Sequence, residues 1–257
     1  MILVIDIGNT NTSIGIFEKD KLINTYSLSS DIKKTEDEYG ISLITILNHH
    51  NLTSKIKGAM ISSVVPQLGE VFKGAVEKYL KIKSVNLSYK SKMPIKLSLE
   101  NNREIGADRI ANATAAKIKY NLPAIVIDFG TATTFDIVDE NSCFVGGIIA
   151  PGLKIQAKAL SQFTSKLPKL KIEAVNSAIG KNTIDAMLSG IVLGHKEMIN
   201  GMIKRCSAEL KEKPTIIATG GYSSVLFNDL DKTIDYVDKD LTLFGLKELY
   251  NLNVEKE

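Results

Sequence analysis

The chain has 257 residues, 44% apolar and 24% charged, which is long enough for two domains with a sizeable core and ordinary for a globular protein. Its 32 basic and 29 acidic residues leave a net charge of +3, too balanced to make nucleic acid or a membrane surface the expected partner. Neither Cys143 nor Cys206 has a CxxC neighbour, so zinc and redox motifs are excluded and a reduced, cytoplasmic setting is expected.

The N-terminus enters a strand at once. Its apolar run is broken by Asp6 and has no basic stretch before it, so no signal peptide is expected, and no run approaches membrane-spanning length. Residues 2–7, 11–18 and 21–28 read as an antiparallel meander of three strands. A helix is predicted over about 35–49, with Ile41, Leu43, Ile44 and Leu47 as its apolar face. A strand over 57–63 leads to Pro66, which suits the first turn of a helix, and a further strand covers 82–87. The first half is thus βββαβαβ. Residues 88–104 are polar and irregular and read as a loop crossing between domains. Gly106-Ala107-Asp108-Arg109 opens a helix, with Ile110, Ala113 and Ile118 as core contacts, and Asn121-Leu122-Pro123 ends it.

The second half repeats the plan. Strands are predicted at 124–129, 133–138 and 143–149, and Pro151-Gly152 leads into a helix. A long helix over about 184–211 is interrupted by Gly190, Gly194 and Gly201. A strand at 215–219 closes on Gly220-Gly221; a short helix, a strand at 234–237, a last helix at about 241–249 and a frayed tail follow. The domains expected are 1–115 and 116–257.

One stretch is written twice. Val4-Ile5-Asp6-Ile7-Gly8-Asn9-Thr10-Asn11-Thr12-Ser13 returns as Val126-Ile127-Asp128-Phe129-Gly130-Thr131-Ala132-Thr133-Thr134-Phe135, and 126 − 4 = 128 − 6 = 122, so the copies align without a gap. Each is an apolar β-branched run ending in Asp, then Gly, then small hydroxyl or amide residues. Gly8 and Gly130 can take positive φ and leave room for a ligand against the backbone. The polar side chains and turn N–H groups can donate to phosphate oxygens. Asp6 and Asp128 would repel a bare phosphate, but a hard cation between carboxylate and phosphate reverses that. Two such turns facing each other would hold a nucleotide's phosphates and metal in a cleft between domains. The plain alternative is two hairpins with Asp and Gly as turn formers.

Two further stretches carry chemistry. Asp108 falls in the first turn of its helix, where it either stabilises the helix start or serves as a base, with Arg109 as solvated neighbour or ligand clamp. Thr219-Gly220-Gly221 follows a strand and lets backbone approach a flat ligand such as adenosine, or is simply a strand-to-helix turn. His49, His50 and His195 are the only histidines, and none lies near a candidate nucleophile, so a Ser-His-Asp hydrolase is not expected.

These motifs together resemble the type III pantothenate kinases of the actin-like ATPase and sugar kinase superfamily. The resemblance rests on Asp6-Ile7-Gly8-Asn9-Thr10-Asn11-Thr12, Gly106-Ala107-Asp108-Arg109, Asp128-Phe129-Gly130-Thr131-Ala132-Thr133-Thr134, Gly146-Gly147 with Ala150-Pro151-Gly152, Gly180-Lys181-Asn182-Thr183, and Thr219-Gly220-Gly221. It implies an α/β fold of two actin-like (ribonuclease H-like) domains, each a mixed sheet with helices on both faces and a cleft between. It implies ATP-dependent phosphorylation of pantothenate, the first step of coenzyme A synthesis. ATP would be held by Asp6, Ile7, Gly8, Asn9, Thr10, Asn11, Thr12, Ser13 and Thr131. Pantothenate would be held by Gly106, Ala107, Asp108, Arg109 and Thr183, with Asp108 as catalytic base. The metal residues would be Asp6 and Asp128, for Mg2+ brought with ATP and for a monovalent cation, potassium or ammonium, near Asp128. A cytoplasmic homodimer is implied, and the helices over 106–118 and 184–203, rich in small and apolar residues, offer surfaces for a symmetry mate. One departure stands out: the family often carries an aromatic residue before Asn-Pro ahead of Gly-Ala-Asp-Arg, where this chain has Leu99-Glu100-Asn101-Asn102. The rival expectations are a kinase for another hydroxyl substrate such as a sugar, and a catalytically silent regulatory accessory protein of the same fold.

Overall fold

The computed structural model describes residues 1–175, 177–223 and 233–254. The chain divides into two compact units, Met1–Ile118 together with the segment from Leu241 on, and Lys119–Asp240.

In the first unit, β1 (Ile2–Ile7), β2 (Asn11–Glu18), β3 (Lys21–Ser29), β4 (Gly58–Ser63) and β5 (Ser84–Asn86) form one sheet in the order β3-β2-β1-β4-β5. The meander pairs antiparallel, and β4 and β5 add parallel strands beside β1. β1 is central, so both its faces are buried. Leu3, Ile5 and Ile7 enter the core beneath α1 (Glu36–His49) and α2 (Pro66–Ala75), while Val4 faces the other way. On that second face it joins Met60 with Ile110 and Ala111 of α3 (Ala107–Lys119) and Leu243, Leu246 and Leu249 of the C-terminal helix (Leu241–Asn253).

α1 starts where it does because Thr35 and Glu38 form a capping box. Its buried stripe is Tyr39, Gly40, Leu43 and Leu47, whereas Ile41, expected in the core, is 58% exposed. Gly40 sets that rotation: a Cβ there would lie 2.2 Å from the Tyr79 ring, so the helix presses the glycine side against Tyr79. Ile118, also expected as a core contact, is exposed.

Residues 88–104, read from the sequence as a loop crossing between domains, are grouped with the first unit. They include β6 (Lys96–Leu97) and a single 3-10 turn at Asn102–Glu104. The C-terminal helix, which the sequence division assigns to the second domain, belongs to the first. Gly245 explains its fit, since a Cβ there would meet the Ala111 carbonyl oxygen at 2.0 Å. Sequence order does not show this, because the helix returns to a sheet laid down more than 180 residues earlier.

The second unit repeats the first. β7 (Ala124–Phe129), β8 (Ala132–Val138), β9 (Cys143–Pro151), β10 (Thr215–Thr219) and β11 (Tyr236–Val237) run in the order β11-β10-β7-β8-β9. This is the first sheet's order with each strand replaced by its counterpart, and the parallel and antiparallel pairings match. Ile125, Ile127 and Phe129 of β7 pack with Phe135 and Ile137 of β8 under α4 (Leu153–Phe163) and α6 (Gly194–Glu209). The long helix expected from residue 184 is α5 (Thr183–Leu188) joined to α6 by a π-helical turn over Ser189–Leu193, so Gly190 and Gly194 mark a widened turn and not breaks. The short helix expected before β11 and the end of the tail lie outside the described residues.

Candidate active site

The duplicated motif ends the central strand of each sheet. In the first unit Asp6 stands between Ser13 of β2 and Ser62 of β4 in register, and Ser62 Oγ donates to Asp6 Oδ1 at 2.8 Å. In the second unit Asp128 stands between Thr134 of β8 and Thr219 of β10. Each carboxylate is therefore the middle of a row of three oxygen-bearing side chains. By alternation, each row lies on the face opposite the one that carries Ile7 or Phe129 into the core.

The turns after the two aspartates are not the same. Ile7 pairs with Thr12, which leaves a four-residue turn over 8–11, closed by Gly8 N–H donating to Asn11 O at 3.0 Å. Phe129 pairs with Thr133, which leaves three residues, closed by Gly130 N–H donating to Ala132 O at 3.1 Å. The gapless match of the sequences holds through the glycine and then slips by one. Neither Gly8 nor Gly130 has positive φ; the left-handed glycine of the second motif region is Gly220, at φ 88°. Gly8 is needed for closeness, because a Cβ there would sit 3.0 Å from Asn11 O.

Among the candidate nucleotide contacts, Asn9, Thr10, Asn11 and Thr131 are exposed on the turns, and Asp6, Gly8 and Ser13 are half-buried beside them. Ile7 and Thr12 are buried, so their side chains build the turn from below. Thr12 Oγ1 and Ser30 Oγ share a hydrogen bond of 2.9 Å, and Ser30 N–H donates to Thr10 O.

The Gly-Ala-Asp-Arg turn is brought to the first motif. Val64 N–H donates to Ile7 O, and a Cβ at Gly106 would lie 3.4 Å from Val64 Cγ1. Asp108 folds back over Gly106, which has no room for a side chain: a Cβ would meet Asp108 Oδ1 at 2.5 Å. Burial pushes the Asp108 carboxyl above the usual carboxylate range; the Arg109 N–H, donating at 2.8 Å, and the Arg109 charge pull the other way and do not win. Asn101 and Asn102 of the departing stretch are used locally: Asn102 accepts from Leu99 N–H, and Asn101 accepts from Arg103 N–H.

In the second unit Gly220 is pressed onto Asp128, where a Cβ would fall 2.4 Å from the carboxylate and 2.7 Å from Phe129 N. Gly152 is pressed onto the turn itself, where a Cβ would meet Thr131 O at 2.3 Å. Thr183 is exposed as the first residue of α5, behind the cap that Asn182 makes to Asp185 N–H, and it bonds to none of the other candidates among the described residues.

The type III pantothenate kinase family model matches residues 2–205. A type III pantothenate kinase of Bacillus cytotoxicus is 43% identical over 98% of this chain and 97% of its own. The chain belongs to the type III pantothenate kinase family. Solved structures agree on the fold. A Campylobacter jejuni protein described as a Baf family transcriptional activator matches with TM-score 0.60 at 24% identity, covering 97% of each chain. An inorganic polyphosphate/ATP-glucomannokinase of Arthrobacter matches with TM-score 0.52 at 12% identity, covering 97% of this chain and 98% of its own. The two mixed sheets with their helices are thus the actin-like α/β arrangement of this family.

Sequence reasoning missed Ser62, which anchors Asp6, and a trio behind the second turn in which Thr133 and His195 are buried and Gln156 is half-buried. Thr133 Oγ1 lies 2.9 Å from His195 Nε2, Gln156 Nε2 lies 2.8 Å from His195 Nδ1, and the same Gln156 nitrogen donates to Pro151 O at 2.9 Å. A signal was present in the spacing, since His195, Ile199 and Ile203 form one core stripe at i, i+4 and i+8.

Proposed function

We infer that the protein is a pantothenate kinase, transferring the γ-phosphoryl group of ATP to the primary hydroxyl of pantothenate to give 4′-phosphopantothenate and ADP. The family match across residues 2–205 carries this reading, and the two carboxylate rows are its physical counterpart. Phosphoryl transfer leaves the protein mainly positioning and charge stabilisation to do.

The exposed turn residues Asn9, Thr10, Asn11 and Thr131 bind the nucleotide, with N–H groups and hydroxyls as donors. Asp6 and Asp128, each beside hydroxyl oxygens, are hard donors that suit Mg2+ carried by ATP and a potassium or ammonium ion near Asp128. Among the described residues no group of three or more His, Cys, Asp or Glu gathers, so single carboxylates are offered and phosphate and water oxygens complete the shell. Bound cations supply charge neutralisation to the phosphates. Gly106, Ala107, Arg109 and Thr183 hold pantothenate, and Asp108 takes the proton of its hydroxyl. Retention of Asp6, Asp108, Asp128 and Thr183 argues against a silent accessory protein.

The protein works as a cytoplasmic homodimer in this reading. No described helix is long and apolar enough to cross a membrane. Of the two helices offered for self-association, α3 is buried on every side from Ile110 to Ala116 and is not open to a partner. The exposed apolar side chains Val145, Ile149, Ile155, Phe163 and Ile184 of the second unit are the better surface.

Turnover of ATP and pantothenate in potassium or ammonium buffer against sodium at matched ionic strength, with mass measured by light scattering, tests this. Turnover in the first two salts, weak turnover in sodium and a dimer mass are expected. No turnover in any salt would sink the kinase, equal rates in all three the specific cation, and a fully active monomer the dimer.

A further inference from the structure

Thr133, Phe135 and Ile137 project from one face of β8, and His195, Ile199 and Ile203 from one stripe of α6. Four of these six residues, Phe135, Ile137, Ile199 and Ile203, make an ordinary apolar contact. The polar pair is Thr133 and His195, and His195 is only 2% exposed and stands at the end nearest the second motif turn. Its ring is held at both nitrogens, and the partners fix which one carries the proton.

Pro151 O can only accept. The Gln156 atom that faces it must therefore be the amide nitrogen, whose two hydrogens serve Pro151 O and His195 Nδ1 together. Nδ1 is then an acceptor and carries no hydrogen. The proton of the neutral ring sits on Nε2 and is donated to Thr133 Oγ1. An imidazolium would put N–H against N–H at Gln156, so the trio closes only around a neutral ring. These two partners are the two flanks of the turn. Thr133 pairs with Phe129 across its base, and Pro151 pairs with Ala132 and precedes Gly152, which packs on the Thr131 carbonyl.

Among the described residues no charge competes for the ring. β8 offers Thr133, and its carboxylate Asp136 lies on the other face, as does Asp128 of β7. α4 turns Gln156 inward, while its exposed Lys154 lies over the Tyr222 ring and Lys158 is exposed. On α6 itself the neighbours are Lys196 and Glu197, and burial alone moves the His195 pKa, downward.

We propose that His195, as the neutral Nε2–H tautomer, is a positioning residue that clamps the nucleotide-binding turn around Thr131 by holding Thr133 directly and Pro151 through Gln156, and that protonating His195 releases this clamp. The functional half of this rests on the pantothenate kinase reading, whereas the tautomer does not.

Two measurements on the full-length protein test it. The first is a long-range nitrogen–proton spectrum of the three histidine rings. An Nε2–H signal with an acceptor Nδ1 at neutral pH, titrating below the ordinary histidine value, is expected. An Nδ1–H tautomer, or titration at the ordinary value, overturns the proposal without any assay. The second is a pH series of kcat and KM for ATP. From about pH 8 to about pH 5, KM for ATP should rise about tenfold in the wild type as a buried hydrogen-bond pair is broken. His195→Gln, which cannot ionise, should flatten that rise, and Thr133→Ser, which keeps the hydroxyl, should retain it. A wild-type KM for ATP flat with pH, or the same rise in His195→Gln, overturns the clamp. Should His195→Gln not fold, the wild-type series and the ring spectrum still decide. Absence of wild-type turnover would instead count against the kinase reading and leave the tautomer result standing.

Discussion

The two motif turns end the corresponding central strands, β1 and β7, of two separate sheets, yet they are braced differently. The first is four residues long, and its buried Thr12 is tied to Ser30, a neutral partner at a half-exposed position. The second is three residues long, and its equivalent Thr133 is tied to a buried histidine. Past the carboxylate row the units diverge again. Ser63 continues β4 and folds its hydroxyl onto Val65 to lead into α2, whereas Gly220 breaks β10 at once with a left-handed residue set against Asp128. The carboxylate and its flanking oxygens recur in both units, whereas the partner that holds the turn differs, a half-exposed serine in one and a buried histidine in the other.

The comparison is sharpened most by Asp108, which the first turn has beside it and for which the second shows no counterpart. Asp108→Asn keeps the shape and the acceptor for Arg109 N–H but removes the basic site. Turnover should fall roughly 10²–10⁴-fold, with nucleotide affinity retained. Because the folded-state pKa is raised, stability is fully present below the unfolded value and is lost as pH rises through the folded one. The asparagine variant, which never ionises, should therefore melt no lower than wild type at neutral pH. A lower Tm with turnover intact would mean that Asp108 serves the helix and not the reaction.

Next in size is the residue after each row. Gly220→Ala combines a left-handed backbone with a clash on Asp128 and Phe129, and should cost at least about 2 kcal/mol. Ser63→Ala loses only a local hydroxyl bond, about 1 kcal/mol. Denaturant midpoints at equal m-values would check both. Equal losses would break the claim that the second row is the more tightly packed.

Much of this was legible beforehand, and the limits have physical causes. The strands of the motif stand out because a central strand buried on both faces reads as an apolar run rich in β-branched residues, as in residues 2–5 and 124–127, each ending at its Asp. Asp6 and Asp128 stand out because the same carboxylate recurs at the end of two matching strands, and Asp108 because it stands beside Arg109 where a helix opens. The turn register was hidden: Asn9 to Thr12 and Thr131 to Thr134 are all small and, Ala132 apart, polar, so nothing in their composition shows the slip of one. α1 was read one position around because Gly40 carries no hydrophobicity, although its bareness is what seats Tyr79. His195 was passed over because a histidine on an apolar stripe identifies itself only once Gln156 and Thr133 are seen to converge on it.

The smallest effect bears most directly on the comparison. Thr12→Val and Thr133→Val are near-isosteric, and each deletes one hydroxyl from a buried turn. Thr12→Val leaves Ser30, which is half-exposed and can turn to water, so about 0.5–1.5 kcal/mol should be lost, at every pH alike. Thr133→Val strands the Nε2–H of a ring that no water reaches, so about 1–3 kcal/mol should be lost. Its pH course should also differ. The His195 pKa is lowered by burial, so the stability of its neutral form is complete above about 6.5, the unfolded value, and drains away as pH falls toward the folded one. The cost of Thr133→Val should therefore shrink on acidification, because a charged ring keeps its Nε2–H but meets the Gln156 N–H at Nδ1 and is turned away from Thr133 as the clamp releases, while the cost of Thr12→Val stays level. Denaturant titrations of wild type and both variants at several pH values measure the two slopes. Parallel slopes would mean that the second turn does not depend on the charge of His195.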